Sequence, residues 1–305
     1  MDEFAFIRDH LAPWSGAGAE GLSDDVARFG DGFVVSTDTC VEGVHFPRLV
    51  RGAAASERAV RVAASDLAAK GAEPVGMLCN LSLPRDMEAK WVVALAQGLR
   101  DGSEALGLPL LGGDTVRHDG KLSVTVTVVG REARSLKRSG TVPGQGVYLS
   151  GPVGDAYLGL HYFQGRPPMP DPTGDDLYLW EEAFLRPRPR FDLREVLAGA
   201  SASIDISDGL VADAGHVARA SGVGLDIELD RVPFSGTCRR WMGGSVERAV
   251  TLITAGDDYE VLWTADAADA ADAVRIGTVR EGEGVRVLSA EGAVVAIDKA
   301  GWNHA

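Results

Sequence analysis

The chain has 305 residues, of which 45% are hydrophobic, and a formal net charge of −14. Because a domain usually contains about 100 to 200 residues, this length predicts two domains. The acidic balance argues against nucleic acid and anionic membranes as partners, since both bind clustered Lys and Arg. The sequence shows no apolar run long enough to span a bilayer and no signal-peptide pattern at residues 1–4, so we expect a cytoplasmic protein. Cys40, Cys79 and Cys238 are expected to be buried, reduced thiols.

The first half of the chain alternates strand-like and helix-like segments. Apolar positions at helical spacing predict a helix over 56–70, with Ser56 as its N-cap and Gly71 as its terminator. A further helix is predicted at 88–106, and strands are predicted at 33–39, 75–83, 108–111 and 122–130. The strand at 108–111 is expected to be short and buried. This alternation favours a domain of α/β or α+β class.

A polar segment at 134–146 is predicted to link this half to a second half of the same style. Strands are predicted at 147–150, 202–206, 225–229, 259–264, 275–279, 285–288 and 294–297, and helices at 155–163, 210–220, 246–253 and in the segment that ends before Arg186. The Ala-Asp stretch at 265–273 predicts a solvated helix. We therefore expect an N-terminal domain over 1–133, a mixed sheet with helices, and a sandwich-like α/β domain over 147–305.

Aspartates recur where these predicted elements begin or end. The motifs are Asp24-Asp25, Ser36-Thr37-Asp38, Ser65-Asp66, Gly113-Asp114, Asp205-Ile206-Ser207-Asp208 and Asp257-Asp258. Any one of them has an ordinary explanation, because Asp caps helices and forms turns. The ordinary explanation fits Asp66 least well. Apolar residues surround it in a predicted helix, and an unpaired ionised carboxylate on an apolar face is energetically unfavourable.

If these acids converge in one cleft, a cation must lie between them. Two carboxylates about 5 Å apart repel each other by roughly 3 kcal/mol at an effective dielectric constant of 20. The motifs contain few lysines, and an all-oxygen ligand set suits Mg²⁺ better than zinc or copper. Because protein-bound Mg²⁺ usually completes its shell with water and substrate phosphate, the pattern indicates nucleotide chemistry. Neither a P-loop nor an EF-hand spacing is present. Arg138 is either a phosphate-binding cation or a solvated linker residue.

In this order, the motifs resemble those of the thiamine-monophosphate kinase family, which shares a superfamily with aminoimidazole ribonucleotide synthetase and selenophosphate synthetase. The resemblance extends over nearly the whole chain. Beyond the acidic motifs it rests on VEGVHF at 41–46, SDLAAKGA at 65–72, RSG at 138–140, RPRPR at 186–190 and GWNH at 301–304.

The resemblance implies a role for each matched residue. It implies metal ligands at Asp25, Ser36, Thr37, Asp38, Asp66, Asp114, Asp205 and Asp208. It implies ATP contacts from Gly113, Asp114, Arg138 and Ser207, and contacts to thiamine monophosphate from His45, Asp257 and Trp302. Asp257 stands where the family usually has glutamate, which shortens the side chain by one methylene group. Without the resemblance, His45 is better explained as a structural histidine and Trp302 as a C-terminal packing residue.

The implied reaction transfers the γ-phosphoryl group of ATP to the phosphate of thiamine monophosphate with the help of several Mg²⁺ ions. The acceptor phosphate has a second pKa of about 6, so no general base is expected. The family also implies a homodimer formed through the N-terminal domain. Two alternatives remain: another ATP-dependent synthetase of the superfamily, and a non-catalytic acidic scaffold that binds divalent ions.

Overall fold

The structure is a computed structural model that describes residues 3–266 and 273–302. Two β-sheets, each with its own helices and its own hydrophobic core, account for most of the described residues. The predicted mixture of strands and helices is thereby confirmed. None of the helices in the described ranges is both long and apolar enough to cross a membrane.

The N-terminal sheet consists of β1 (Ala27–Arg28), β2 (Phe33–Val41), β3 (Glu73–Pro84), β4 (Leu110–His118) and β5 (Ser123–Arg131). Its strand order is β1-β2-β5-β3-β4, and β3 and β4 run parallel while the other neighbours are antiparallel. Helix α1 (Glu3–Phe6) precedes the sheet, and α2 (Ala53–Ala69) and α3 (Ala89–Leu106) cover one of its faces. The buried residues Val124, Val126 and Val128 of β5 point towards α2, so the intervening threonines lie on the open face.

Two predictions in this domain are wrong in detail. The segment 108–111 is not a short buried strand, because β4 is a longer edge strand in which Leu110 and Leu111 are 57% and 59% exposed. Ser56 is not an N-cap, because three alanines with high helix propensity extend α2 towards its N-terminus. The Ser56 hydroxyl instead donates to the Leu95 carbonyl of α3 at 2.8 Å. Gly71 has a φ of +62° after the end of α2, as expected for a helix terminator.

The C-terminal sheet has the strand order β12-β11-β8-β10-β6-β9-β7. Its strands are β6 (Gly146–Leu149), β7 (Ala202–Asp205), β8 (Gly224–Glu228), β9 (Val261–Ala265), β10 (Val274–Arg280), β11 (Gly284–Leu288) and β12 (Val294–Val295). The helices are α4 (Asp155–Phe163), α5 (Gly174–Leu185), α6 (Arg194–Leu197), α7 (Leu210–Ser221), α8 (Gly236–Met242) and α9 (Val246–Ile253). Most of these elements agree with the predicted ones to within two residues, whereas α6 and α8 were not predicted. The helix predicted at 265–273 lies outside the described residues apart from its two ends.

Helix α2 connects the two halves of the molecule. At its C-terminal end, the Ser203 hydroxyl of β7 donates to the Ala69 carbonyl at 2.6 Å. Nearer its N-terminus, the Arg58 guanidinium donates to the Phe184 carbonyl of α5. The cleft between the N-terminal sheet and β7 is therefore bounded by one helix that both halves contact.

All three cysteines are free and buried, which confirms their predicted state. Burial raises the pKa of the Cys40 thiol to about 12 and that of Cys79 to about 11. Since the thiolate is the reactive form, these side chains behave as small apolar core residues.

Candidate active site

A cleft with a volume of about 210 Å³ lies between β2, α2 and the loops that follow β7 and α9. Most of the site residues predicted from the sequence line this cleft. They are Asp38, His45, Asp66, Asp205, Ser207, Asp208, Asp257 and Trp302. Residues that are up to 264 positions apart therefore share one cavity, counted from Asp38 to Trp302.

An acidic centre lies at the inner end of the cleft. Asp25, Asp66 and Asp205 each offer a carboxylate oxygen, and these atoms lie within 4.8 Å of one another. Asp38, on β2, shares a side-chain hydrogen bond with Asp66. The Ser36 hydroxyl, on the same face of β2, donates to Asp66. Four of the predicted acids thus meet around one point.

Three of these carboxyl groups titrate well above the usual range for aspartate. Burial, with the charge of Asp25 next in importance, raises the pKa of Asp205 to about 7. Burial likewise raises the pKa of Asp38 to about 6, against the lowering effect of its hydrogen bond with Asp66. Burial, followed by the charges of Asp205, Asp38 and Asp25, raises the pKa of Asp66 well above its ordinary value. Among the described residues, these three carboxylates take part in no ion pair with Lys, Arg or His. An all-oxygen group of this kind, with the Ser36 hydroxyl beside it, fits the ligand preference of Mg²⁺.

Asp25 differs from the other acids because cationic side chains contact it. The Arg138 Nε donates to Asp25 Oδ1 at 2.7 Å, and the Lys70 ammonium forms ion pairs with both Asp25 and Asp24. Arg28 also contacts Asp24, at 2.5 Å. Although burial acts to raise them, these cations hold the pKa values of Asp24 and Asp25 below the ordinary value.

The expectation that the acidic motifs contain few lysine counter-ions is therefore wrong at this position. Lys70 belongs to the SDLAAKGA segment, yet its contact with the acid pair could not be recognised from sequence spacing. Arg138 is also not a solvated linker residue, because it is paired with Asp25. Its role towards ATP stays a prediction.

The loops after β7 and α9 are fixed to each other by their backbones. Asp213 Oδ2, in the first turn of α7, accepts hydrogen bonds from the backbone N–H groups of residues 207–209 at 3.0 to 3.1 Å. The Asp257 N–H donates to the Ser207 carbonyl at 2.8 Å. Gly256 has a φ of +78°, and a Cβ there would lie 2.3 Å from the Ser207 carbonyl oxygen, so this contact requires glycine. Asp213 was missed in the sequence, although an acid in the first turn of a helix is a known capping pattern.

Asp257 is held at the cleft by a buried cation that sequence reasoning also missed. Arg58 Nη2 lies 2.5 Å from Asp257 Oδ1, and the Tyr259 hydroxyl donates to the same oxygen at 3.0 Å. Arg58 is only 1% exposed and also lies over the rings of Phe184 and Tyr259. Asp257 and Tyr259 both have positive φ angles, of 66° and 52°. The position of this carboxylate is therefore determined by several independent contacts.

His45 and Trp302 lie at the rim of the cleft. Nδ1 of His45 accepts a hydrogen bond from the Val41 N–H at 3.1 Å, so the proton of a neutral ring resides on Nε2. The Trp302 N–H donates to the Asp208 carbonyl at 2.8 Å, which attaches the C-terminal segment to the loop after β7. Trp302 as a whole residue is 51% exposed.

Three predicted site residues are not brought to the acidic centre within one copy of the chain. The Thr37 hydroxyl pairs with that of Thr127 at 2.9 Å on the open face of the sheet, opposite Asp38. Gly113 and Asp114 lie inside β4, which is separated from β2 by β5 and β3. At about 4.8 Å per strand, Asp114 is about 14 Å from β2. The expectation that these residues join the other acids is wrong for a single chain, and their ligand and ATP-binding roles stay predictions.

Comparisons with known proteins agree with this fold. The family model for the N-terminal domain of AIR synthase related proteins matches residues 23–131, and the model for their C-terminal domain matches residues 143–289. The fold and the acid-lined cleft between two such domains define the class as the AIR synthase related enzymes.

Individual relatives specify the family within that class. The thiamine-monophosphate kinase of Caulobacter vibrioides is 34% identical over 304 residues, covering 93% of this chain and 84% of the relative. That of Escherichia coli strain K12 is 36% identical over 252 residues, covering 80% of this chain and 75% of the relative. The solved complex of AaThiL with AMPPCP and TMP has a TM-score of 0.89 at 31% identity, covering 100% of this chain and 97% of that one. The chain belongs to the thiamine-monophosphate kinase family.

Proposed function

We propose that the protein phosphorylates thiamine monophosphate with ATP as the phosphoryl donor, giving thiamine diphosphate and ADP. The observation that carries the proposal is the meeting of Asp25, Asp38, Asp66 and Asp205 in a cleft whose rim holds His45 and Trp302. Curated relatives that share a third of the sequence are thiamine-monophosphate kinases, and the solved AaThiL complex contains AMPPCP and TMP.

The main obstacle to this reaction is electrostatic, because two polyanions must approach each other. Asp38, Asp66 and Asp205, with Ser36 and Asp208 nearby, would hold Mg²⁺ ions, which would supply the charge neutralisation that in-line phosphoryl transfer requires. Arg138 adds a fixed positive charge close to the same centre, suited to the phosphates of ATP. Nε2 of His45 can donate to an oxygen of the acceptor phosphate. No side chain needs to remove a proton, since the acceptor phosphate is mostly a dianion at neutral pH.

A homodimer and a cytoplasmic location are part of the proposal. The open face and edge of the N-terminal sheet expose a group of large apolar side chains, namely Val75, Leu78, Leu110, Leu111 and Val116. Exposed apolar surface of this extent is typical of an interface. Pairing through this face would cover Thr37 and the edge strand that carries Asp114. Light scattering coupled to gel filtration should give twice the chain mass.

The three free cysteines are typical of a reducing compartment.

Replacing Trp302 by alanine should raise KM for thiamine monophosphate by up to about tenfold, because an aromatic stacking contact contributes about 0.5 to 1.5 kcal/mol. KM for ATP should stay nearly the same. Steady-state kinetics with each substrate varied in turn would measure both values. The Trp14→Ala variant is a matched control, since Trp14 is 76% exposed and does not line the cleft. An unchanged KM for thiamine monophosphate in Trp302→Ala would argue against stacking.

One assay distinguishes the three candidate functions. ADP release is measured in magnesium buffer with and without thiamine monophosphate. Stimulation by this acceptor supports the kinase, and ADP release that the acceptor does not stimulate favours another synthetase of the superfamily. No release at all would favour the acidic scaffold, and the product of the stimulated reaction should be thiamine diphosphate by chromatography.

A further inference from the structure

Lys70 places a fully buried positive charge next to the acidic centre. Its side chain is 0% exposed and lies just after the C-terminal end of α2. The ammonium contacts Asp24 Oδ1 at 2.8 Å, the Ser203 carbonyl oxygen at 2.8 Å and Asp25 Oδ2. An ammonium group has three N–H donors, and these three oxygens are the acceptors that the structure places around it.

Asp24 and the four acids of the acidic centre fall into two groups that differ in their counter-ions. Asp24 and Asp25 are paired with Lys70, Arg28 and Arg138. The three remaining acids of the centre have no cationic partner among the described residues; they are Asp38, Asp66 and Asp205. Only the second group therefore depends on an external cation for charge balance.

The two oxygens of Asp25 are directed at different cations of the chain itself. Oδ1 accepts from Arg138, and Oδ2 contacts Lys70. Asp25 nevertheless lies within 4.8 Å of Asp66 and Asp205, measured between carboxylate oxygens. A metal ion that used Asp25 as a ligand would therefore have to displace the lysine or bind next to its positive charge.

We propose that Lys70 is a tethered cation that takes the place of one metal ion beside Asp25. The chain then binds Mg²⁺ through Asp38, Asp66 and Asp205, and it holds Asp24 and Asp25 as a permanently neutralised pair. This inference rests on the assignment of Mg²⁺ to the cleft in the proposed function, and it concerns how many ions the chain binds there.

The position of Lys70 also gives the tethered charge a structural consequence. It connects the Asp24–Asp25 pair of the N-terminal half to Ser203 on β7. A metal ion at this position would leave whenever its free concentration fell, whereas a lysine side chain stays. Contact between the two halves at this point is therefore independent of metal.

The test is a count of Mg²⁺ ions bound to the substrate-free protein. Isothermal titration and Mg²⁺-dependent melting are compared for the wild type, Lys70→Met, Lys70→Arg and Lys90→Met. Methionine has a similar length without the charge, arginine keeps the charge, and Lys90 is an exposed lysine on α3. We expect Lys70→Met to bind one more Mg²⁺ per chain and to gain about 5 °C more in Tm on adding Mg²⁺ than the wild type. The other two variants should match the wild type.

Each outcome decides the inference without any measurement of kinase activity. An equal or smaller Mg²⁺ count in Lys70→Met than in the wild type overturns it, even if the proposed function holds. Binding by Lys70→Met but not by the wild type supports the replacement of a metal ion by Lys70, but it overturns Mg²⁺ binding by Asp38, Asp66 and Asp205 in the substrate-free protein. Binding by neither overturns both the inference and the assignment of Mg²⁺ to the cleft. Lys70→Met could also fold only when Mg²⁺ is present. In that case the double variant Lys70→Met/Asp25→Asn decides, and folding of the double variant without Mg²⁺ supports the extra ion. Failure of that double variant to fold in metal-free buffer shows a purely structural role and overturns the inference.

Discussion

Replacing Asp205 by asparagine is expected to lower turnover by at least about 100-fold while raising the melting temperature of the metal-free protein. The loss corresponds to about 2.7 kcal/mol of transition-state stabilisation, which is within the several kcal/mol that a bound metal ion supplies. The gain in stability comes from removing an unfavourable buried charge. Asp205 is buried among other acids, and without a metal ion its charge is unfavourable in the folded state.

The pH dependence of this gain follows from the pKa of Asp205. Its folded-state pKa of about 7 lies above the ordinary value of 3.8, so the folded protein binds the proton more tightly than the unfolded chain. Stability of the wild type is therefore lost as pH rises through this interval, and the loss is complete above pH 7. The variant, which has no charge at this position, should exceed the wild type in Tm clearly at pH 8 and hardly at all near pH 4.

Melting in EDTA at pH 4, 6 and 8, together with steady-state ADP release in magnesium, would measure both effects. Asp230→Asn is the matched control, since Asp230 is exposed and does not line the cleft. Full turnover in Asp205→Asn would show that the acidic centre is not the active site. A metal-free variant no more stable than the wild type at pH 8 would refute the argument from charge repulsion.

Replacing Asp257 by asparagine should reduce the free energy of unfolding by about 3 kcal/mol, because it leaves the buried Arg58 without its counter-ion. Asparagine keeps the shape of the side chain and can still accept a hydrogen bond. The rings of Phe184 and Tyr259 and the Phe184 carbonyl continue to contact Arg58, so the loss should stay near the lower end of the range for broken buried pairs.

Urea denaturation at pH 7.5 would measure this loss, again with Asp230→Asn as the control. The Asp257→Glu variant separates charge from length, since it restores the carboxylate that the family usually has. We expect it to recover most of the stability. A loss below about 1 kcal/mol in Asp257→Asn would mean that the aromatic rings alone stabilise the buried guanidinium.

Much of the fold could be predicted from the sequence because periodicity reports local burial. The alternation in β5 places Val124, Val126 and Val128 on the covered face, and the structure confirms it. Strand β4 could not be predicted in the same way. Leu110 and Leu111 form an apolar run, which indicates burial, but their exposure depends on β4 being at the edge of the sheet. That position is decided by pairing between distant segments.

The acidic centre was predictable in part because family motifs preserve the order of its residues. The alternation of side chains along a strand also argues against Thr37 as a ligand. Thr37 lies between Ser36 and Asp38 in β2, so its side chain must point to the opposite face from theirs. The cationic partners were missed for a different reason. Arg58 and Asp257 are 199 positions apart, and Lys70 reaches the acid pair only because α2 lies between the two sheets. No local pattern indicates such a pair.

Arg58, Asp66 and Lys70 all belong to α2 or its C-terminal end, eight and four positions apart in the sequence. At 1.5 Å per residue, they are spaced by about 12 Å and 6 Å along the helix axis. A helix is stiff over this length, so a shift of the helix along its axis that brings Asp66 closer to a ligand displaces the other two by the same amount. Ligand binding at the acidic centre is therefore mechanically coupled, through helix α2, to the ion pair between Arg58 and Asp257.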